Sequence, residues 1–439
     1  MRGGGVQRRW IAVVATAAVC ALAVGCGSSD DNNNNSSSSS SSGNSAAKSG
    51  DTGATLTMWT RAATQTQSER FVKAYNASHK NQVKLTVIPT DNYQARVAAA
   101  AGGKNLPDLF AADVIYAPNY VSQGLWLDIT DKINALPYAK DIVQAPIKAG
   151  SADGKEYVVP HTLDLSVLFW NKALFKKAGL DPDTPPKTMQ EFAQDAETVR
   201  KKIGGDTYGT FFGGNCPGCY VFTFWPSVWA GGGNVMNEDG TQSTIDDPQM
   251  KATFDIYNKL VKDDVVMPAA KDEAGPTWTG VFPKGKVGIM PMPSTTLGIM
   301  PKDMDIGVAP IPGPDGGEST FVGGDVIGVS STSKHPDEAW DFLQWTLSDD
   351  TQVEIVAKNK DVVARTDLAD NKYSSEDPRV VLSNQMVGKG VTPIALNFGA
   401  TYNDPTGPWL KVARDAVFGN DVSKALADGK QSLTSSLSQ

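Results

Sequence analysis

The chain has 439 residues, with 40 lysines and arginines against 48 aspartates and glutamates, and a formal net charge of −8 at pH 7. This length allows two domains with separate cores. An acidic chain without a lysine- or arginine-rich run is not expected to bind nucleic acid. The histidines, His79, His161 and His335, are scattered along the chain, so we expect neither a metal site nor a cofactor.

The first 25 residues are typical of an export signal. Three arginines precede an uncharged run over residues 10–25, which is shorter than the roughly 20 residues of a membrane-spanning helix. The run ends in small residues before Cys26, which predicts a lipoprotein signal peptide over residues 1–25 and lipidation of Cys26. The alternative is an ordinary signal peptide followed by an incidental cysteine.

Residues 26–54 are rich in serine, asparagine and glycine and show no apolar periodicity. Such a segment buries too little apolar surface to fold, so we expect a disordered tether. A lipidated cysteine before a tether predicts a globular protein anchored to the lipid bilayer, on the outer face of the cytoplasmic membrane.

Strands and helices alternate in the next part of the chain. Residues 56–59 and 83–87 are strand-like, an amphipathic helix is predicted over residues 69–77, and a third strand begins at Pro107. A strand and helix alternation at these lengths predicts an α/β fold with a parallel sheet.

The most informative segment is residues 153–191. Residues 167–169 are predicted as a buried strand, Asn171 as the N-cap of a helix, and Gly179 as its left-handed C-terminal residue. Thr188, with Glu191 three residues later, predicts a capping box for a second helix.

Further elements are predicted towards the C-terminus. They are a helix over residues 248–261, a strand over 306–312, a helix from Pro336, and a last helix over 410–417.

One set of motifs resembles a known family. It comprises Asp153-Gly154-Lys155, Tyr157, Pro160, Trp170-Asn171, Leu174 to Asp181, Pro185-Pro186 and Thr188. In this spacing the chain resembles the extracellular solute-binding proteins of ABC importers, in the group that includes maltose-binding protein. The resemblance implies a two-lobed, periplasmic-binding-protein-like α/β fold. Its discontinuous lobes, residues 55–162 plus 324–364 and 163–323 plus 365–439, would be joined by a three-segment hinge with a ligand cleft between them. The resemblance also implies a strand over residues 282–290, a second crossing at residues 321–329 and a third at residues 361–365.

The resemblance also implies a function. A monomer would capture a mono- or oligosaccharide by hinge closure and deliver it to the permease subunits of an ABC transporter, without catalysis. A bilobal binder of a polyamine or peptide is an alternative. An exported glycoside hydrolase is a second alternative, although no pair of catalytic carboxylates is identifiable from the sequence.

Sugar recognition uses aromatic faces against the apolar side of the ring, and carboxylates or amides against its hydroxyls. The positions at which the resemblance places such residues are Arg61, Asp113, Tyr116, Asp164, Tyr220, Phe222, Trp278, Asp325 and Trp409. Structural roles compete with each assignment. Asp164 could cap a strand, Asp325 could stabilise a hinge turn, and most aromatic residues around Trp225 are expected in the core.

Two cysteines, Cys216 and Cys219, stand in a Cys-Pro-Gly-Cys sequence. In an exported protein this spacing favours a small structural disulfide that fixes a loop. A thioredoxin-type redox pair is the alternative.

Overall fold

The computed structural model describes residues 50–439. The predicted signal peptide, the lipidation at Cys26 and residues 26–49 of the predicted tether lie outside the described residues. Within residues 50–439, none of the helices has the length and apolar character needed to cross a membrane.

Eleven strands follow one another within the described residues. They are β1 (Thr55–Arg61), β2 (Gln82–Ile88), β3 (Leu109–Asp113), β4 (Ser151–Ala152), β5 (Lys155–Glu156), β6 (Val159–Asn171), β7 (Ile289–Pro293), β8 (Ile306–Ala309), β9 (Ile311–Pro312), β10 (Glu318–Ser319) and β11 (Val322–Val329). Seven of them form one sheet in the order β2-β1-β3-β11-β6-β7, with β8 also paired to β6. The strands β4 with β5, and β9 with β10, form two small hairpin-like pairs.

The large sheet is mixed. Strand β1 pairs in parallel with β2 and with β3, as the sequence predicts. Strand β11, however, runs antiparallel to β3 and β6, and β6 runs antiparallel to β7 and β8. The parallel arrangement predicted from the first three strands is confirmed for them and does not extend to the rest of the sheet. Strand β11 returns to the sheet from a long excursion of the chain, and local strand and helix alternation does not reveal the direction of that return.

Strand β6 connects two regions of the sheet. Its residues 159–165 pair with β11, whereas residues 166–171 pair with β7 and β8. We call β1, β2, β3, β11 and the first half of β6 the first sheet region, and the second half of β6 with β7 and β8 the second sheet region. A continuous 13-residue strand thus passes from one region to the other.

Fourteen α-helices lie in the described residues. They are α1 (Gln65–Ser78), α2 (Tyr93–Gly102), α3 (Ala117–Ser122), α4 (Thr130–Asn134), α5 (Gln144–Ala149), α6 (Lys172–Ala178), α7 (Met189–Ile203), α8 (Pro217–Ala230), α9 (Pro248–Lys262), α10 (Pro336–Thr346), α11 (Asp349–Thr351), α12 (Pro378–Met386), α13 (Pro408–Phe418) and α14 (Val422–Leu437).

The helix-end signals in residues 153–191 are confirmed. The Asn171 side chain accepts a hydrogen bond from Leu174 N at 3.1 Å, and Gly179 ends α6 with φ +82°. Thr188 Oγ1 accepts from Glu191 N at 3.0 Å. The Glu191 carboxylate completes a variant of the capping box, because it accepts from Lys187 N at 2.6 Å.

Two sequence predictions are wrong near the C-terminal elements. Only residues 289–290 of the strand predicted over 282–290 belong to a strand, because Trp278–Lys284 forms a 3-10 helix.

Helix α14 follows the predicted last helix and buries Leu426, Leu433 and Leu437. Its interior Gly429 lowers helix propensity, but a Cβ there would lie 2.3 Å from Val412 Cγ2 of α13. Glycine therefore allows α14 to approach α13 closely.

Candidate ligand-binding cleft

A cleft of about 590 Å³ lies where elements of both sheet regions meet. Its first wall contains the ends of β1 and β3 and the start of α1. Its second wall contains the N-terminal part of α8, the 3-10 helix Trp278–Lys284 and the turn after β7, while β6 and β11 cross between the walls. Ligands of open α/β sheets bind beyond strand ends in this way, so the cleft is the candidate site.

Arg61 at the end of β1 is held between two carboxylates. Its Nη1 lies 3.1 Å from Asp113 Oδ2, and its Nε donates to Asp325 Oδ1 at 3.1 Å, with a second contact from Nη2 to the same oxygen. The Asp325 side chain is fully buried and also accepts from Thr64 Oγ1 at 2.8 Å. The carboxylates raise the pKa of Arg61 although burial opposes them. This guanidinium is neutralised by the protein itself.

Asp113 and Asp325 have different positions in this cluster. The Asp113 side chain is 25% exposed and lines the cleft. Asp325 does not line the cleft, so the structure places it as the buried partner of Arg61 and not as a cleft residue. Burial raises the pKa of Asp113, and the positive charge of Arg61 opposes this shift.

Asp164 lines the cleft together with Thr162 and Leu163 of β6, and it is the residue of this strand that is partly exposed. The Asp164 carboxylate accepts from Thr295 Oγ1 at 3.2 Å, and it has longer contacts with Thr295 N and Ser294 Oγ, both at 3.4 Å. Within residues 50–439 it has no basic partner. Burial raises its pKa to about 6, and the contacts with Thr295 and Ser294 only partly offset burial.

A second ion pair of the cleft was not predicted from the sequence. Arg70 Nη1 of α1 lies 2.8 Å from Asp361 Oδ2, and both residues line the cleft. Burial raises the pKa of Asp361 to about 6, against the effect of Arg70. Asp361 lies in the segment proposed as the third hinge crossing, which is the signal that could have identified it. No sequence signal distinguishes Arg70 from a solvated helix residue.

Phe222 and Trp278 provide aromatic surface in the cleft, as predicted. Phe222 lies on α8 with its ring centroid 5.5 Å from that of Phe321, and Trp278 begins the 3-10 helix at 8% exposure. Phe321 and Phe398 also line the cleft, and the sequence did not single them out.

Tyr220 and Trp409 lie outside the cleft, although the resemblance placed them at the ligand. They are 1% and 0% exposed in the core around α8 and α13. The Tyr220 hydroxyl donates to Gly214 O at 3.0 Å, and Trp409 Nε1 donates to Pro217 O at 3.2 Å. Tyr220 and Phe222 are two residues apart on α8, so their side chains point to different sides of the helix. Phe222 faces the cleft, and Tyr220 faces the core.

Tyr116 lies beside the cleft without lining it. Burial raises the pKa of its hydroxyl, and a hydrogen bond with Asn403, which does line the cleft, opposes the shift. Tyr116 is therefore placed to orient Asn403 and not to face the cleft itself.

Cys216 and Cys219 form a disulfide, and both line the cleft. Cys216 is the N-cap of α8, with its Sγ accepting from Cys219 N at 3.1 Å. In the described part of the chain, no three His, Cys, Asp or Glu side chains come together as a metal site.

Comparison with known proteins identifies the family of this chain. Residues 61–353 match the bacterial extracellular solute-binding protein family. The chain belongs to this family. The motif resemblance found in the sequence is thereby confirmed.

Relatives in this family align over most of the chain. The diacetylchitobiose binding protein DasA of Streptomyces coelicolor is 27% identical over 371 residues, which cover 82% of this chain and 84% of that protein. The arabinooligosaccharide-binding protein of Bacillus subtilis is 25% identical over 317 residues, which cover 68% of this chain and 70% of that protein. A shorter match is to the sn-glycerol-3-phosphate-binding periplasmic protein UgpB of Yersinia enterocolitica. It is 32% identical over 143 residues, which cover 31% of this chain and 32% of that protein.

Solved structures share the fold. The cyclic alpha-maltosyl-1,6-maltose binding protein of Arthrobacter globiformis superposes with a TM-score of 0.74 at 23% identity, covering 88% of this chain and 99% of that one. MalE of Xanthomonas citri superposes with a TM-score of 0.77 at 17% identity, covering 87% of this chain and 97% of that one. The chain therefore has the two-lobed α/β fold of these binding proteins.

Proposed function

We propose that this protein is the substrate-binding component of an ABC importer and that it captures an uncharged oligosaccharide. One observation carries the proposal. The cleft combines aromatic surface from Phe222 and Trp278 with the carboxylate of Asp164, which has no basic partner within residues 50–439. Aromatic faces cover the C–H side of a sugar ring, and a carboxylate accepts hydrogen bonds from neighbouring hydroxyls.

The relatives support a carbohydrate as the solute class. DasA is named for diacetylchitobiose, and its alignment covers 84% of that protein. The Bacillus subtilis relative is named for arabino-oligosaccharides. A cleft of about 590 Å³ lies within the range of small-molecule sites, roughly 300–1,000 Å³.

The charges of the cleft favour an uncharged sugar over an anionic solute. Arg61 is paired with Asp113 and Asp325, and Arg70 is paired with Asp361. A phosphate or carboxylate on the ligand would therefore compete with a carboxylate already in place. The match to a glycerol phosphate binder covers about a third of the chain and does not outweigh this charge pattern.

A polyamine is the second candidate. The single observation in its favour is that Asp164 has no basic partner in the described part of the chain, because an ammonium group would compensate its charge. We rank the sugar first because DasA and the Bacillus subtilis relative, which both align over two thirds or more of this chain, are named for oligosaccharides.

We propose that binding proceeds by hinge closure without catalysis. The proposed lobes comprise residues 55–162 plus 324–364, and 163–323 plus 365–439. The chain would cross between them in β6, in β11 and over residues 361–365. The partner change in β6 between Leu165 and Ser166 supports the first crossing. A ligand that contacts both lobes stabilises the closed state in proportion to its additional contacts there.

The remaining features of the proposal concern location and partners. We propose that the protein is a monomer, that Cys26 carries a lipid anchor at the outer face of the cytoplasmic membrane, and that the closed form docks on permease subunits. Mass spectrometry of the N-terminal peptide from membranes tests the anchor. An unmodified Cys26 would contradict it.

The test of binding is a thermal-shift screen of the purified protein against neutral oligosaccharides, uronic acids, sugar phosphates, polyamines and peptides, with product analysis of every hit. A compound that binds only the native state raises the melting temperature. We expect a shift with an intact neutral oligosaccharide. A shift only with polyamines would transfer the proposal to the second candidate, and turnover of a sugar would replace it with a glycoside hydrolase.

A further inference from the structure

The Cys216–Cys219 disulfide contributes to the wall of the cleft, and sugar recognition by aromatic faces and carboxylates does not require it. Both cysteines line the cleft, at the N-terminus of the helix that carries Phe222. A disulfide that only stabilised the fold could lie anywhere in the chain. This one lies among the residues proposed to contact sugar.

Backbone hydrogen bonds join the segment before the disulfide to a second loop of the cleft wall. Gly214 N donates to Ala270 O at 2.8 Å, and Asn215 N donates to Glu273 O at 2.9 Å. The start of α8 and residues 270–273 are therefore one connected surface.

The two sulfurs fill the space between neighbouring backbone segments. A Cβ on Gly275 would lie 3.0 Å from Cys216 Sγ, and a Cβ on Gly213 would lie 2.9 Å from Cys219 Sγ. Both distances show that the backbone packs closely against the sulfurs. The disulfide thus lies between the residue 213 segment and the residue 275 segment.

The residue 275 segment continues directly into Trp278. The Glu273 carboxylate fixes this turn, because it accepts from Gly275 N at 2.8 Å and from Thr277 N at 3.3 Å, with a further contact from Thr277 Oγ1. A displacement of Gly275 would be transmitted through this short, hydrogen-bonded turn to Trp278.

We propose that the Cys216–Cys219 disulfide is a positioning element of the ligand site, which holds Trp278 and the start of α8 in the arrangement that binds sugar. This inference rests on the proposed function. When an added dithiol reduces the disulfide, the S–S bond breaks, the protein gains two electrons and two protons as two thiols, and the dithiol is oxidised to its own disulfide. The two thiols must then separate to van der Waals distance. Because the Gly275 turn packs against Cys216 and the Gly213 segment packs against Cys219, we expect this separation to displace the Gly275 turn or the start of α8.

The first experiment measures the wall itself and needs no sugar. Hydrogen–deuterium exchange is followed in peptides over residues 217–224 and 273–282 for the oxidised protein, the dithiothreitol-reduced protein and the Cys216→Ser/Cys219→Ser variant. We expect faster exchange in both peptides after the disulfide is lost, with no change in peptides of α1 and β2. Unchanged exchange over residues 273–282 would overturn the proposal.

The second experiment measures affinity for N,N′-diacetylchitobiose, maltose and mannobiose by calorimetry. We expect the sugar that binds the oxidised protein to bind the double serine variant at least tenfold more weakly. Removing the disulfide in a Trp278→Leu background should then cost clearly less affinity, because the positioned ring is already absent. Equal losses in both backgrounds would overturn the role assigned to Trp278.

The two experiments separate the inference from the proposed function. If the oxidised protein binds none of these sugars or any other carbohydrate of the screen, the proposed function fails, while the exchange experiment still decides whether the disulfide positions the wall. If a sugar binds the oxidised and serine forms equally, the proposed function stands and the inference fails. The variant Thr346→Val removes a buried hydrogen bond to Leu343 O in α10, a helix that contributes no residue to the cleft, and controls for destabilisation alone.

Discussion

Asp325 of β11 and Arg61 of β1 form a buried ion pair that connects β11 to the end of the first strand. In the sheet, Asp325 lies opposite Asp113 of β3 and Thr162 of β6, and its backbone N donates to Thr162 Oγ1 at 3.1 Å. The side chain of Asp325 thus pairs with the end of β1, while its backbone pairs with β3 and β6. Its role is to hold the scaffold on which the cleft residues stand.

Removal of Asp325 should therefore reduce stability more than removal of Asp113. The Asp325→Asn variant leaves Arg61 buried with one carboxylate, and we expect the free energy of unfolding to fall by about 3 kcal/mol. Asp113→Asn keeps the Arg61–Asp325 pair and should cost about 1 kcal/mol or less, since Asp113 is partly exposed. Urea denaturation of both variants measures the difference. Equal losses would show that Asp325 is not the main anchor.

Asp164 gives the protein a specific pH dependence. Its pKa of about 6 in the folded protein lies above the ordinary value of 3.8, because burial disfavours the charged carboxylate. Between these values the native state binds more protons than the unfolded state, so the free energy of unfolding of the unliganded protein falls as pH rises. Asp164→Asn removes this contribution, and we expect it to stabilise the unliganded protein at pH 7 by about 1–2 kcal/mol.

The same substitution should weaken sugar binding. An ionised Asp164 accepts hydrogen bonds from sugar hydroxyls, so affinity should fall as pH drops through about 6. The pKa of Asp361 is also about 6, and burial raises the pKa of Asp113 as well, so other carboxylates contribute to the pH dependence. The effect of Asp164→Asn is therefore compared with that of Asp361→Asn. Calorimetry from pH 4.5 to 8 (roughly the range around these pKa values) is the measurement. A pH profile unchanged by Asp164→Asn would remove Asp164 from the site.

Two buried tryptophans allow a clean separation of binding from folding. Trp278 lines the cleft, whereas Trp409 is fully buried in the core. We expect Trp278→Leu to weaken sugar binding about tenfold, or about 1.4 kcal/mol. Trp409→Leu should instead destabilise the fold by about 2–4 kcal/mol and leave the dissociation constant of the folded fraction within about twofold. A larger affinity loss in Trp409→Leu than in Trp278→Leu would reverse this assignment.

Local chemistry made much of the fold predictable. Asn171, Gly179 and Thr188 end or begin their helices through interactions with residues three or four positions away, so the local sequence contains both partners. The strand of residues 167–169 is likewise signalled by its own apolar run, although β6 extends well beyond it.

The aromatic part of the site was less predictable because α8 is apolar on nearly every side. Ten of its fourteen residues are buried, so helical periodicity does not tell which aromatic faces the cleft. The structure places Phe222 in the cleft and Tyr220 in the core. Arg70 and Asp361 are 291 residues apart in the chain, and their pairing depends on the tertiary fold alone.

That unpredicted pair leads to a test of charge selection. Arg70 is paired with Asp361, and Arg61 is paired with Asp113 and Asp325. An anionic sugar in the cleft would therefore find both arginines already paired with carboxylates, and it would be repelled by the carboxylate of Asp164. We expect an uncharged oligosaccharide to bind at least tenfold more tightly than its uronic acid counterpart, about 1.4 kcal/mol or more.

The Asp361→Asn variant should narrow this difference, because it frees Arg70 to pair with the ligand carboxylate. Affinity for the uronic acid should rise, and this gain should shrink with added salt, because exposed ion pairs are screened. Calorimetry at low and physiological ionic strength, with the neutral sugar as control, measures both effects. If the uncharged and anionic sugars bind the wild-type protein equally, the occupied arginines do not determine which solutes enter the cleft.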